Sequence, residues 1–490
     1  MVSRRARIFF SGIGGSGLSA IACFMADRGH VIRGSDRVFD ENPSHPVFRM
    51  LRSKGIAIVP QDGGGIDASF DFAVFSTAVE NDSPDLRKAR ALGIPLKSRP
   101  EYLAEIVDEF KTIAVAGTSG KSTTSGLLAF MLRRLGLSPN FIGGGRVKQF
   151  RTEESPGNST SGSSDYLVIE ACESDGTIVN FKPLHTVILN LDLDHHSIAK
   201  TREMFQALAT NTAGMVIVNA DDHNLEGLST RHSVTFSIDN PSDYRATDIL
   251  YRPFSTEFSV KTPSHSTLAD RGRGRHGGTV EGFGLSLPGE YNLYNALSCI
   301  AILCEMGMPL EETRRVLHEF RGIERRFDVH LNDGKRLVID DYAHNPHKIS
   351  ALMKTVRNMR DRVCYIFQPH GFGPTRMMKR EYIEAFRENL RASDHLILLP
   401  IFYAGGTANR DISSKDLAEG IREGGKSVEV VEERDRVLDP VRAWDTCVVL
   451  GARDETLSHL AEAIAGKLTF PRDVVNSCET VVYSTEGGAV

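Results

Sequence analysis

Short apolar runs alternating with helical patterns, in three successive blocks, predict an α/β fold with parallel sheets. Three observations carry this reading. Strand-like runs repeatedly end in a glycine turn that opens into a helix. The runs are rich in Val, Ile and Phe, as central strands buried on both faces require. The length of 490 residues suggests roughly three domains of about 150 residues each.

The first block begins with RIFFSGI (7–13), a buried-strand run. GLSAIACFMADRG (17–29) is a helix ending at Gly29, and HVIRGSD (30–36) a second strand. FDFAVFS (70–76) is another strand, and PDLRKARALG (84–93) a helix stopped at Gly93. SRPEYLAEIVDEF (98–110) leads into the second block, which opens with TIAVAG (112–117). YLVIEA (166–171), HTVILNL (185–191) and MVIVNA (215–220) are further candidate central strands. RTEESPGNSTSGSS (151–164) reads as loop by composition. The polar, basic stretch 263–278 reads as a hairpin tip, because its flanks alternate like antiparallel strands. The third block supplies RLVIDDYA, VCYIFQP, HLILLPI, VEVV and CVVLGA as strands, with REYIEAFRENL and SSKDLAEGIREG as helices. The weakly patterned tail after about 470 is expected to fray. Boundaries are placed at 1–108, 109–328 and 329–490.

Hydrophobic content of 41% with 25% charged residues places the chain among soluble globular proteins. The formal net charge of −5 argues against broad nucleic-acid binding. Seven scattered cysteines without a C-x-x-C pair read as thiols in a reducing compartment. The apolar stretch after MVSRRAR is too short for a signal core, and no window reaches membrane-spanning length. A cytoplasmic location is expected. Asn158-Ser159-Thr160 fits a glycosylation sequon and is read there as a polar loop.

Five motifs could carry chemistry. Gly12-Ile-Gly14-Gly15-Ser16-Gly17, with Asp36 about twenty residues on, is G-x-G-x-x-G between strand and helix. Amides at that helix start would cradle a diphosphate. NAD is one reading, another nucleotide diphosphate a second, and tight turns without a ligand a third. Next comes Gly117-Thr118-Ser119-Gly120-Lys121-Ser122-Thr123, again between strand and helix. It ends like a phosphate loop, yet the first glycine of G-x-x-x-x-G-K-[ST] would fall at Val115. Its amides and Lys121 would face β- and γ-phosphates, and the Ser122 hydroxyl would take Mg²⁺. The third is Glu170-Ala-Cys-Glu173-Ser-Asp175 at a strand end, where carboxylates are natural Mg²⁺ ligands or solvated acids. Asn190-Leu-Asp-Leu-Asp194-His195-His196 follows another strand and offers a second metal or substrate contact, or packed histidines. The fifth is Asp340-Asp341-Tyr342-Ala-His344, preceded by the cations Arg325 and Arg326.

In this order the motifs resemble the Mur ligase family, closest to its alanine-adding branch, over about residues 7 to 465. G-I-G-G-x-G, the short loop G-T-x-G-K-S-T, EACESD, DLDH, PGEYNLYNAL, GIERRFD, DDYAHNP and FQPH carry the likeness. The resemblance implies a three-domain architecture: a Rossmann-like N-terminal domain for a UDP-sugar, a central P-loop ATPase domain, and a C-terminal Rossmann-like α/β domain for the amino acid. It implies that ATP phosphorylates a substrate carboxylate and that an amine then displaces phosphate from the acyl phosphate. It assigns catalysis to Lys121, His195, Arg326 and His344, and nucleotide binding to residues 117–123, Asn292, Arg326 and Asp341. Mg²⁺ would be held by Ser122, Glu173 and His195. Gly12, Gly14, Gly15, Ser16, Gly17, Asp36 and His370 would bind substrate. The partners implied are a UDP-N-acetylmuramate-like acceptor and a small amino acid, by default alanine; no nucleic acid or membrane partner is expected, and the protein itself is expected to be a monomer or dimer. Domain closure would exclude water from the acyl phosphate.

The chain departs from the family in the FQPH segment. Two arginines that would hold the amino-acid carboxylate are replaced by Gly371 and Pro374, and Arg376 lies out of register. A Mur-type ligase with another substrate, such as one for muropeptide recycling, and an NAD-binding protein with a degenerate loop stay open as alternatives.

Overall fold

The computed structural model describes residues 5–153, 155–194, 196–263, 278–403 and 409–469. They form three sheets in two compact units, divided between Glu324 and Arg325.

The first unit holds two sheets. A five-stranded parallel sheet runs in the order Ala57–Val59, Val31–Ser35, Arg7–Ser11, Phe72–Phe75, Leu96–Ser98. Because Arg7–Ser11 is central, the turn at its end and the helix Ser16–Asp27 lie where the strand order reverses, the usual ligand crevice of an open α/β sheet. Helix Arg99–Glu109 starts with a capping box between Ser98 and Glu101, which satisfies amides that have no intrahelical acceptor. It delivers the chain to strand Lys111–Ala116.

That strand lies inside a ten-stranded sheet, between His185–Ile188 and Tyr166–Glu170, all parallel. Strands Thr256–Lys261 and Thr279–Leu285 at the far edge pair antiparallel, as their alternation predicts. The hairpin tip expected at 263–278 and the fraying tail fall almost wholly outside the described residues. The segment 151–164 differs from its reading as loop. Ser159–Thr160 pairs antiparallel with Asn140–Ile142, and Asn158 is buried. Composition hides this because the side chains buried here, Asn158 and Ser159, are polar, and backbone pairing makes so short an edge strand. Apolar residues of both sheets merge in one core, with Phe10, Ile21 and Phe24 in the same cluster as Ala114, Ile188 and Phe205.

The second unit carries a six-stranded sheet. Asp328–Asn332 is an antiparallel edge beside Leu337–Asp341, and Thr446–Gly451, Cys364–Gln368, His395–Leu398 and Val428–Val430 follow in parallel. Among the described residues no cysteine forms a disulfide, and no helix is long and apolar enough to cross a membrane.

Candidate active site

Val115, the position where a longer loop would have its glycine, lies inside the strand. It is fully buried and paired in register with Val187 and Glu170. The turn therefore starts at Gly117, whose φ of +143° and approach to Leu189 exclude a side chain; a Cβ would lie 2.9 Å from that of Leu189. Gly120 closes the turn at φ +84°, and a Cβ there would collide with Asn295 Oδ1. The neighbouring strand end templates the loop between them. Asn190 accepts from the Ser119 amide at 2.7 Å and donates to the Ser119 carbonyl at 3.1 Å. The Asp192 amide donates to Thr118 Oγ1 at 2.9 Å.

Helix Lys121–Arg134 opens with the two side chains that give the loop its chemistry. Lys121 Nζ donates to Gly117 O at 2.5 Å and to Glu173 Oε2 at 2.9 Å, with both side chains nearly buried. Burial alone would lower the lysine pKa. The charges of Glu173, Cys172 and Glu170 outweigh it and hold the pKa above its ordinary value. The ammonium is thus kept protonated and aimed at the loop. Ser122 Oγ donates to Glu170 Oε2 at 2.9 Å, and the same oxygen accepts from the Gly144 amide at 2.9 Å. The Ser122 hydroxyl therefore meets Glu170, while Glu173, read from the sequence as a metal ligand, is occupied by Lys121. Strand alternation explains the difference: Glu170 ends the strand Tyr166–Glu170 in register with Val115, whereas Glu173 lies three residues beyond it. Ser122 and Glu170 present hard oxygen donors of the kind Mg²⁺ takes, since that ion binds through one or two protein carboxylates plus phosphate and water. Thr123 is buried at the helix start. His195 lies outside the described residues.

Asn292 is buried in helix Glu290–Glu305, donating to Pro288 O at 2.8 Å and accepting from Asn295 at 3.3 Å. Asn295, not Asn292, stands against Gly120. The i, i+3 spacing of the two asparagines in PGEYNLYNAL was the signal for it, since that spacing puts both on one helix face.

The glycine loop 12–17 is built differently. Ser35 O accepts from Gly12 N at 2.8 Å and Ile13 N at 3.0 Å, and Gly12 O accepts from Gly15 N. Asp36 accepts from the Gly14 amide at 2.7 Å and from the Val38 amide at 2.9 Å. Burial raises the Asp36 pKa against the pull of those two amides. Its carboxylate is committed to the protein rather than presented to a ribose. The amides of Ser16 and Gly17 remain as the donors at the helix start. Two residues that the sequence reading did not assign to the site, Asp85 and Asn158, support this edge. Buried Asp85 accepts from Ser11 Oγ at 2.9 Å and from Ser35 Oγ. Asn158 Nδ2 donates to Ser16 O at 3.1 Å, so the sequon asparagine is a packed strut. Arg99 lies beside Gly17 and pairs with Asp175 at 2.6 Å.

In the second unit, Asp341 accepts from the amides of Phe327 and Ala343, both at 2.7 Å. Burial raises its pKa and Arg326 opposes the shift. The Arg326 guanidinium lies 4.5 Å from the centre of the Tyr342 ring. Arg325 is buried, with Nε 3.2 Å from Asp340 and its other nitrogens on the carbonyls of Asp454 and Gly451. His344 Nδ1 donates to Tyr342 O at 2.9 Å. Burial, then Lys348 and His370, push the His344 pKa well below its ordinary value. The ring is therefore neutral, with Nε2 as its basic nitrogen. The His370 ring centroid is 5.1 Å away.

Three family models match the chain. "Mur ligase family, catalytic domain" covers residues 7–111, "Mur ligase middle domain" covers 115–303, and "Mur ligase, glutamate ligase domain" covers 325–474. A UDP-N-acetylmuramate–L-alanine ligase of Caldanaerobacter subterraneus subsp. tengcongensis is 32% identical over 88% of this chain and 91% of its own. The corresponding ligase of Xylella fastidiosa strain 9a5c is 32% identical over 94% and 95%. The crystal structure of a UDP-N-acetylmuramate-alanine ligase from Thermotoga maritima superposes with a TM-score of 0.77 at 25% identity, covering 95% of this chain and 99% of the other. A murein peptide ligase from Psychrobacter arcticus shares the fold, with a TM-score of 0.69 at 21% identity over 94% and 98%.

Proposed function

This chain belongs to the Mur ligase family, and from that premise we propose that it joins L-alanine to the carboxylate of UDP-N-acetylmuramate at the expense of ATP. One observation carries the reading most directly. Lys121 and Ser122, adjacent at a helix start, engage two different carboxylates, Glu173 and Glu170, beside a loop of phosphate-binding shape.

A carboxylate is a poor acyl donor, and phosphorylation makes it a good one. Transfer of a phosphoryl group to a carboxylate brings anions together, so the site must supply positive charge at the developing transition state. Lys121 supplies it, since Glu173 keeps the ammonium protonated in a buried setting. Ser122 and Glu170 would hold Mg²⁺, with His195 a further candidate. The ion supplies additional charge neutralisation at the phosphates. Asn292 is assigned to the adenine side, with Asn295 buttressing the loop. Arg326 and Asp341 are assigned to nucleotide phosphate and ribose; each Asp341 oxygen holds one amide and keeps a second lone pair for a hydroxyl. Ser16 and Gly17 would meet the diphosphate of the acceptor through the glycine loop.

The amine of alanine must lose a proton as it attacks the acyl phosphate. Burial keeps His344 neutral, so Nε2 is free to accept a hydrogen bond from the attacking amine and orient it; its lowered pKa makes it a weak base, and the departing phosphate is the group that takes the proton. The bond formed is C–N, the bond broken is C–O to phosphate, and inorganic phosphate leaves. The domain partition at 108/109 and 328/329 belongs to the same proposal.

The test is ATP-dependent phosphate release with UDP-N-acetylmuramate against a panel of amino acids and a short muropeptide. Release with alanine is expected. Release with no amine on that acceptor would overturn the reading. Release only with the peptide would favour a recycling ligase, the variant to which Gly371 and Pro374 point.

A further inference from the structure

An amino acid that reacts through its amine must have its carboxylate held and kept from the phosphoryl donor. A guanidinium does this best, because its planar fork matches the two carboxylate oxygens. The segment after FQPH has glycine and proline at 371 and 374, so the cation must come from elsewhere.

A strap in the second unit narrows the search. Gly371 N donates to Phe402 O at 2.9 Å, and Phe402 N donates to Pro369 O at 2.8 Å. These bonds tie residues 369–371, and with them the ring of His370, to the chain around Phe402 and Tyr403. Two arginines lie near this strap, and they differ in what they touch. Arg376 is consumed: its Nη2 donates to Asp411 and, at 3.0 Å, to Asn409 O. Arg410 is not. Its guanidinium carbon lies 4.1 Å from the centre of the Tyr403 ring and 5.8 Å from that of Phe372, two rings 5.9 Å apart. Among the described residues no carboxylate pairs with Arg410, and its side chain is exposed.

We propose that Arg410 binds the carboxylate of the incoming amino acid, taking over a task that positions 371 and 374 cannot perform. The Tyr403 ring lies against the guanidinium, with Phe372 farther off, and the exposed side chain keeps N–H groups for a ligand. Contact with the Tyr403 ring restrains the side chain, so less conformational freedom is lost when a carboxylate docks. Arg376 is excluded as the replacement by its own partner, Asp411. Specificity follows from the same geometry: a free α-carboxylate is rewarded, and an amide or ester in its place is not. The inference rests on the proposed ligase activity.

The experiment uses the full chain with ATP and UDP-N-acetylmuramate at saturation. Arg410→Ala should raise the KM for alanine roughly 10- to 100-fold, the effect of losing hydrogen bonds to a charged group. The KM values for ATP and for the acceptor should stay within about twofold. Arg410→Lys should restore part of the loss, since it keeps charge but not the fork. Wild-type protein should discriminate strongly between alanine and alaninamide, and Arg410→Ala should lose most of that discrimination. A merely structural role would not produce this loss. Arg376→Ala should leave the discrimination in place. An unchanged alanine KM with intact discrimination in Arg410→Ala, while wild-type protein turns over, would overturn the inference. Wild-type protein inert with every amine would instead remove the ligase reading beneath it.

Discussion

Two glycine loops in the first unit have the same local grammar, strand then glycine turn then helix, and opposite internal economies. The loop at 12–17 has its amides taken up by the protein: four successive ones, from Gly12 to Gly15, are satisfied by Ser35 O, Asp36 and Gly12 O. Only the helix start at Ser16 and Gly17 is left for an anion. The loop at 117–122 is likewise held by a neighbouring strand end, through Asn190, but its charged end is held by side-chain partners, Glu173 on Lys121 and Glu170 on Ser122. The first loop is a rigid platform suited to recognition. The second holds its cation against a carboxylate that an arriving polyphosphate can displace. A glycine pattern alone states that the backbone turns tightly. What the loop then does depends on which side chains come from neighbouring strands.

Breaking the second loop has the largest expected effect. Lys121→Ala should cut turnover on the order of 1,000-fold, read as phosphate release. It also leaves Glu173 buried without its partner, which costs about 3 kcal/mol or more of stability. Adding Glu173→Gln should return much of that stability and none of the turnover. Denaturant melts alongside the rate assay separate the two, and a double variant that turns over would refute the role of Lys121.

The assignment of the metal side is sharpened by comparing Glu170→Gln with Glu173→Gln. Glu170→Gln should raise the Mg²⁺ concentration needed for half-maximal rate and lower kcat on the order of 100-fold. Glu173→Gln should act on Lys121 and leave the Mg²⁺ requirement near that of the wild type. A Mg²⁺ titration giving the reverse pattern would return the metal to Glu173.

The smallest effect is expected at the first loop. Asp36→Ala removes a helix cap and the acceptor for Gly14, together worth about 2 kcal/mol of stability. It should raise the KM for the UDP-linked acceptor about tenfold, from roughly 1.4 kcal/mol of lost pre-organisation, and leave that for ATP unchanged. Equal changes in both constants would show that the two loops are not separable.

Much of this was legible in the sequence. The strands around Ile8, Val115, Val187 and Ile339 are apolar on both faces, so their burial was readable from composition and period. The positions of Gly117 and Gly120 were readable because few other residues tolerate those backbone angles. Less legible was the division of labour between Glu170 and Glu173, three residues apart in one motif. Strand register decides it, and register is a property of pairing with a distant segment. Asp85 was invisible for a related reason: its partners Ser11 and Ser35 lie 74 and 50 residues away. Asn158 looked like loop, and its partner on the first helix lies 142 residues away.

The sequence by itself determined the order of elements, the two glycine loops, the family and the chemical repertoire of the site. Those follow from local rules: period, turn chemistry and motif spacing. Only the tertiary structure decided which carboxylate meets Lys121, which asparagine meets Gly120, and which arginine in the 369–411 region has no acidic partner among the described residues. Those are contacts between segments far apart in the chain, and they are fixed by how strands register and pack.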